Sequence, residues 1–263
     1  MLGHVRCVFG IEVNKPEAIA HIREVIAKLG YKDMEVLPLR KRYPQGGEKQ
    51  LIDAVMHRQV GSGALPISVG AVVQNVATAL AVYDAVQKNK PVIDNSVTVT
   101  GECFPKQANL LVRVGTPLSF IIDHLGGMPK EAAKVISGGP MMGRAIANLD
   151  AATLKGTSAL LFLTEKQTRR APESACIRCG KCADACPMGL EPFLLNRLAK
   201  AGGRLEDLEA NAVQDCIECG CCLYSCPARI PLLDNIRLAK GEVLGAIRAR
   251  AAAAKAAAEA AKK

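Results

Sequence analysis

The first stretch of the chain alternates apolar runs with amphipathic segments. Val5-Arg-Cys-Val-Phe9 reads as a buried strand, and a helix follows to about Leu29 with Asn14 as its N-cap, Pro16 and Glu17 in its first turn and Gly30 as its stop. Met34–Leu39 is the next strand, so this is a βαβ unit whose strands should run parallel with a right-handed crossover. A second round is expected as a helix over Glu48–His57, a strand around Gly70–Val73 and a helix from about Asn75 to Gln87. This alternation predicts a three-layer α/β sheet. Val97-Thr-Val-Thr100 and Leu110–Val114 read as strands, Thr116-Pro117 opens a short helix ending at Gly126-Gly127, and Lys134–Ile136 is a returning strand. Two strands, a helix and a returning strand predict a small β-grasp module. From residue 173 the pattern turns helical, with segments over Glu191–Lys200, Leu205–Asn211 and Leu232–Lys240. An Ala/Lys/Arg-rich tail follows, which reads as a solvated helix frayed at its end.

One pattern interrupts this series twice. Cys176-Ile-Arg-Cys179-Gly-Lys-Cys182-Ala-Asp-Ala-Cys186-Pro187 returns forty positions later as Cys216-Ile-Glu-Cys219-Gly-Cys-Cys222-Leu-Tyr-Ser-Cys226-Pro227. This is the doubled C-x2-C-x2-C-x3-C-P run of two-cluster ferredoxins. Three thiolates at close intervals let one tight loop reach three irons of a cubane, and the fourth, before proline, reaches the neighbouring cluster. The ligand sets should therefore cross: Cys176, Cys179, Cys182 and Cys226 for one [4Fe-4S] cluster, Cys216, Cys219, Cys222 and Cys186 for the other. Zinc also takes C-x2-C pairs, but a tetrahedral site has no use for a third cysteine two residues on, in both copies. Gly180 and Gly220 fall where backbone must pass close to inorganic sulfur, and Ile177, Ile217, Leu190 and Ile230 are expected to keep water off the clusters. Arg178 and Lys181 stand where the second copy has Glu218 and Cys221. On loop charge alone the first cluster should then have the higher potential.

The remaining chemistry is weaker. Arg40-Lys-Arg-Tyr43-Pro-Gln-Gly46-Gly47-Glu48-Lys49 joins a strand to a helix start. Backbone N–H groups there could receive phosphate or pyrophosphate, although a solvated turn accounts for the same residues. Asn75, after a run of apolar residues, could touch a ligand or only cap the next helix. Met141 and Met142, in the glycine-rich turn Gly138–Gly143, read as core filler.

Composition narrows the function classes. Of eleven cysteines, eight belong to the doubled run. Cys7, Cys103 and Cys221 are too few for a disulfide framework, and thiolate ligands call for a reducing compartment. The formal charge of +9 counts cysteines as neutral; eight ligand thiolates and two cubane cores of about +2 each bring the loaded chain to about +5. With no tryptophan and 3% aromatic residues there is no stacking platform, and no helix-turn-helix pattern is visible, so a nucleic-acid partner is not expected. No apolar run reaches the ~18 residues of a transmembrane helix.

Tyr43-Pro-Gln-Gly-Gly-Glu-Lys-Gln-Leu-Ile52, Val72-Val-Gln-Asn-Val76, Gly138-Gly-Pro-Met-Met-Gly143 and the doubled cysteine run occur in this order. The combination resembles the C subunit of the Rnf-type ion-translocating electron-transport complex over about residues 5 to 240, and its first two segments are similar to the flavin- and NADH-binding subunit of respiratory complex I. The resemblance implies five regions. These are a partial three-layer α/β domain of flavin/NADH type over 1–95, a β-grasp (SLBB-like) module over 96–150, a linker over 151–172, a ferredoxin-type domain with two [4Fe-4S] clusters over 173–240, and a tail over 241–263. It also implies that Gly46, Gly47, Glu48 and Asn75 line a flavin and nucleotide pocket, with FMN as a cofactor of the complete subunit. Such relatives carry an upstream glycine-rich loop that cradles the FMN phosphate, whereas this sequence opens just before a mid-domain strand, so an N-terminally incomplete form is expected. The implied function is electron transfer between NADH or ferredoxin and membrane subunits, as a peripheral component on the cytoplasmic face of the inner membrane. A soluble flavin and iron–sulfur reductase, such as a cobalamin reductase, is the alternative.

Overall fold

A computed structural model describes residues 5–104 and 106–260. The chain divides into two compact units, at Gln74/Asn75.

In the first unit, β1 (Cys7–Glu12) is followed by α1 (Pro16–Leu29), β2 (Met34–Leu39) and α2 (Glu48–Met56). β1 and β2 pair in parallel, from Cys7 opposite Met34 to Glu12 opposite Leu39. Gly30, at φ 69°, stops α1 in the left-handed conformation. Lys15, not Asn14, occupies the N-cap and makes no side-chain cap bond; Pro16, with its fixed φ, opens the helix. The strand expected at 70–73 does not form. Pro66–Val69 is a 3-10 turn ended by left-handed Gly70 (φ 74°), and the carbonyl of Val69 is taken by the Arg58 guanidinium at 2.8 Å. Ala71 is spent on a small core with Ile52 and Val60.

The second unit opens with α3 (Val76–Lys88), capped by Asn75 Oδ1, which accepts from the Ala77 N–H at 2.9 Å. A five-stranded sheet follows, formed by β3 (Asp94–Thr100), β4 (Ala108–Arg113), β5 (Ala132–Ser137), β6 (Arg144–Ile146) and β7 (Ala159–Thr164), in the order β4-β3-β7-β5-β6. Period two is plain in β3, where Val97 and Val99 are buried while Ser96 and Thr98 face water. β3 and β7 run parallel at the centre and each has an antiparallel outer neighbour, the arrangement of a β-grasp sheet. α4 (Leu118–His124) lays Leu118, Ile121 and Ile122 on this sheet against Val97, Val99, Leu160 and Phe162. Its N-cap is Pro117, one residue later than Thr116, because Thr116 is engaged with Thr153 through its backbone carbonyl.

The expected linker over 151–172 is therefore corrected. It contains β7, whose Leu160 and Phe162 are fully buried, and α5 (Glu165–Thr168), closed by a capping box between Thr164 and Gln167. Gly101, at φ 148°, lets β3 pass the middle of β7: a Cβ there would lie 2.2 Å from the Phe162 carbonyl oxygen. Gly101→Ala should thus cost about 3 kcal/mol in the unfolding of the sheet, readable as a lowered urea midpoint, while Gly156→Ala, where a Cβ meets open space, should leave it in place.

The remainder is helical, with α6 (Lys181–Asp184), α7 (Pro192–Ala201), α8 (Leu205–Ala210), α9 (Cys221–Ser225) and α10 (Leu232–Ala260). The expected break between a domain ending at 240 and a separate tail is absent. α10 runs continuously across it, burying Leu232, Leu233, Ile236, Ala239 and Val243 as one stripe, with Ile247 packed at its edge. The apolar spacing continues past Lys240, so the helix stays on the core for another two turns before it becomes the alanine-rich exposed end. Among the described residues no helix is long and apolar enough to cross a membrane.

Candidate metal centre

The two cysteine loops fold alike because their sequences demand the same backbone. Arg178 and Gly180 take positive φ in the first (55° and 76°), and Glu218 and Gly220 take it in the second (57° and 81°). Each loop runs into a one-turn helix, α6 or α9, and then through a proline into a longer helix, α7 or α10. Both pairs of helices keep the forty-residue offset, 181 to 221 and 192 to 232. α6 lies against α9 and α7 against α10, so the repeat packs face to face. Asn235 of α10 donates to Asn196 Oδ1 of α7 at 2.7 Å inside this contact. The entry to the first loop is tied down by the Ser174 N–H to the Ala228 carbonyl at 3.0 Å and by ion pairs Lys200–Glu173 (2.7 Å) and Arg170–Asp234 (2.6 Å).

This packing brings cysteines of different loops together. An apolar cavity is lined by Cys186 from the first run and by Cys216, Cys219 and Cys222 from the second. Leu190, Ile217, Leu233 and Ile236 form part of its wall. Burial pushes the Cys222 thiol up to about 12, with Cys216, Cys219 and Cys186 adding to the rise. Burial also raises Cys216, and Cys186 contributes there. Cys182 is raised by burial and, more weakly, by Cys226. Each fourth cysteine is thus a neighbour of the opposite loop. The extra Cys221 has its thiol pushed up to about 11, by burial first and then by a hydrogen bond with Cys219.

Thiols held this far above their ordinary range do not ionise alone. A cationic iron–sulfur core supplies the charge that makes the thiolate the stable form, so the donor set and the apolar wall fit such a group. Among the described residues no three His, Cys, Asp or Glu side chains converge on a single-ion site. A cubane, whose irons stand at separate corners, needs no such convergence.

The two loops differ in cover. Cys219 and Cys222 are buried, whereas Cys176 and Cys179 are exposed. Ile177, expected to shield the first cluster, is 67% exposed. The second is covered by the turn between β5 and β6: a Cβ on Gly220 would lie 3.0 Å from the Met141 carbonyl oxygen and 3.6 Å from its methyl group. Nothing in the sequence signals that contact, since methionines in a glycine-rich turn read as core filler. Sequence reasoning also misses Arg237 and Lys240 of α10, which reach Glu218 Oε2 and Oε1 at 3.0 and 3.2 Å. Their spacing of three on the rim of the buried stripe is the available signal.

Of the expected flavin residues, Gly47 is the N-cap of α2 and Glu48 stands exposed in its first turn, after the cis peptide Tyr43–Pro44. Gly46 and Gly47 belong to the first unit, and Asn75 opens the second with its side-chain oxygen engaged as a helix cap. Beside Gly46, Gln45 Oε1 is buried with no hydrogen-bond partner among protein atoms.

Three segments of the chain match known domains. Residues 1–84 match the Nuo51 FMN-binding domain, 96–145 the SLBB domain and 169–231 the 4Fe-4S dicluster domain. The chain is 47% identical to the C subunit of a proton-translocating ferredoxin:NAD(+) oxidoreductase complex of Clostridium ljungdahlii, over 89% of this chain and 50% of that protein. It is similar to the C subunits of ion-translocating oxidoreductase complexes. The C subunit of the Rhodobacter capsulatus complex is 43% identical over 92% of this chain and 46% of its own length. That of the Na(+)-translocating complex of Acetobacterium woodii is 42% identical over 89% and 52%. The chain spans about half the length of these curated relatives. The dicluster match makes its C-terminal module a carrier of two [4Fe-4S] clusters, and the SLBB match agrees with the β-grasp sheet, which the structure extends to Thr164.

Proposed function

We propose that this chain is the electron-carrying portion of a C subunit, passing single electrons between a soluble redox partner, NADH or ferredoxin, and membrane subunits of an ion-translocating oxidoreductase. The observation that carries this reading is the cavity in which Cys186 of one run meets Cys216, Cys219 and Cys222 of the other. Cys176, Cys179, Cys182 and Cys226 make the second ligand set by the same crossing. When bound, the two clusters supply one-electron storage at low potential.

The chain's own residues divide the remaining work. The eight thiolates bind; Leu190, Ile217, Leu233 and Ile236 exclude water from one set; and the exposed loop at Cys176 and Cys179 brings the other to the surface, where a docked carrier is nearest. In this reading ion movement belongs to other subunits, and the chain acts at the cytoplasmic face of the membrane. The Nuo51 match supports FMN or nucleotide at Gly46, Gly47 and Glu48 of the first unit. A turned-over Gln45 amide would present a donor there.

Anaerobic reconstitution tests the reading. About eight irons and eight sulfides per chain are expected, with paramagnetic spectra of two interacting reduced centres. A flavin assay of the same sample reads the first unit separately. A folded chain carrying zinc and no sulfide would end the proposal.

A further inference from the structure

Glu218 lies inside the second cysteine loop, one residue before Cys219, and on sequence alone it places a negative charge beside that cluster. The fold does not leave it uncompensated. Arg237 Nε donates to Glu218 Oε2 at 3.0 Å and Lys240 Nζ to Glu218 Oε1 at 3.2 Å. Lys240 Nζ also donates to the Cys216 carbonyl at 2.7 Å, and Arg237 Nη2 to the Met142 carbonyl at 3.2 Å. The three side chains are only 19–26% exposed, so solvent and salt screen them less than a surface pair. Two cations against one carboxylate leave a local charge of about +1 around the loop, opposite in sign to that of Glu218 alone. By contrast, Arg178 and Lys181 of the first loop are exposed, where water screens them.

We propose that Arg237 and Lys240 are positioning residues of the second cluster loop. They cancel Glu218, raise the reduction potential of the centre held by Cys186, Cys216, Cys219 and Cys222, and, through Arg237, fasten the β-grasp turn over that loop. The proposal rests on the two-cluster reading above. It also takes away the Glu218 part of the ranking of the first cluster above the second, leaving that ranking to the exposed Arg178 and Lys181. The geometry gives the two cations separable tasks. Lys240 grips only the loop, by its carboxylate and by the backbone of a ligand residue. Arg237 grips the loop and the turn that shuts water from Gly220.

The test uses the reconstituted full chain with Lys240→Met, Arg237→Met, Glu218→Gln and the double variant Glu218→Gln/Lys240→Met. Iron and sulfide are measured first, followed by a redox titration read by paramagnetic resonance. Lys240→Met and Arg237→Met should each lower the midpoint of one centre and leave the other unmoved, Glu218→Gln should raise it, and the double variant should return towards the parent. Hydrogen exchange adds a readout independent of the clusters' redox behaviour: the backbone amides of Met141, Met142 and Gly143 should exchange faster in Arg237→Met and not in Lys240→Met. If Lys240→Met loads poorly, Lys240→Arg, which keeps the charge, should load and keep the parent midpoint. Two fully loaded centres whose midpoints ignore all four variants would overturn the tuning role alone. A parent chain without sulfide would overturn the two-cluster reading beneath it.

Discussion

Cys226→Ser should empty the cluster of the first loop and spare that of the second, although Cys226 belongs to the second run. If each run served its own cluster, Cys226 would complete the set of Cys216, Cys219 and Cys222. The structure instead places Cys226 beside Cys182 and sends Cys186 into the cavity with Cys216, Cys219 and Cys222. The expected result in Cys226→Ser is a fall from about eight irons per chain to about four. Cys176, Cys179 and Cys182 should then become open to alkylation, with Cys216, Cys219 and Cys222 still protected. Cys186→Ser should give the converse pattern. Peptide mass mapping after alkylation reads both, and release of Cys216, Cys219 and Cys222 by Cys226→Ser would mean that the sets do not cross. Serine is close to cysteine in size, so the loss of a ligand and not a packing fault is what the variant reports. Cys222 would be a poorer choice, since it is itself part of the core with Leu195, Val213 and Ile236.

Much of this site is legible in the sequence because the ligand spacing is local. Intervals of two, two and three residues fix the loop, and the forty-residue repeat fixes its partner. The helices of the module are legible for the same reason: Pro192 marks the start of α7 and Gly202 its end. What escapes are contacts whose meaning depends on long-range pairing. Gly70–Val73 has the apolar content of a strand, but left-handed Gly70 and the use of Ala71 in a local core withdraw it from a sheet. Ala159–Thr164 is a different case: Leu160, Leu161, Phe162 and Leu163 form an apolar run of strand length that the expected linker over 151–172 passes over, and pairing with β3 on one side and β5 on the other makes it the central strand. The continuation of α10 past Lys240 is hidden because Gly241 and Gly245 and the alanine-rich stretch beyond suggest a frayed, solvated end, whereas Val243 is fully buried. Asn75 is the opposite case: its sequence context admits both a ligand residue and a cap, and the cap is what its side chain makes.

The separation of apolar cores makes metal removal a selective operation. The β-grasp sheet encloses Val97, Val99, Phe104, Leu160 and Phe162, whereas the cysteine module gathers Leu195, Leu208, Val213, Leu232 and Ile236 around Cys222. The first core contains no ligand; in the second, Cys182, Cys216 and Cys226 pack against the buried residues. A module of this size with so much of its interior given to ligands depends on them for folding. Anaerobic chelation should therefore abolish amide protection at Leu195, Leu208, Val213 and Ile236 while Val97, Val99, Leu160 and Phe162 keep theirs, and the thermal melt should split into two transitions. Release should also be favoured by acid. Each departing thiolate takes up a proton, because an ordinary cysteine thiol, with a pKa of about 8.5, is protonated in the neutral range, so lower pH drives the equilibrium towards the metal-free form. The chelator concentration for half-release should thus fall as the solution is taken from mildly alkaline to mildly acidic. Equal loss of protection in both cores, or a midpoint that does not move with pH, would mean that the clusters are not what the cysteine module folds around.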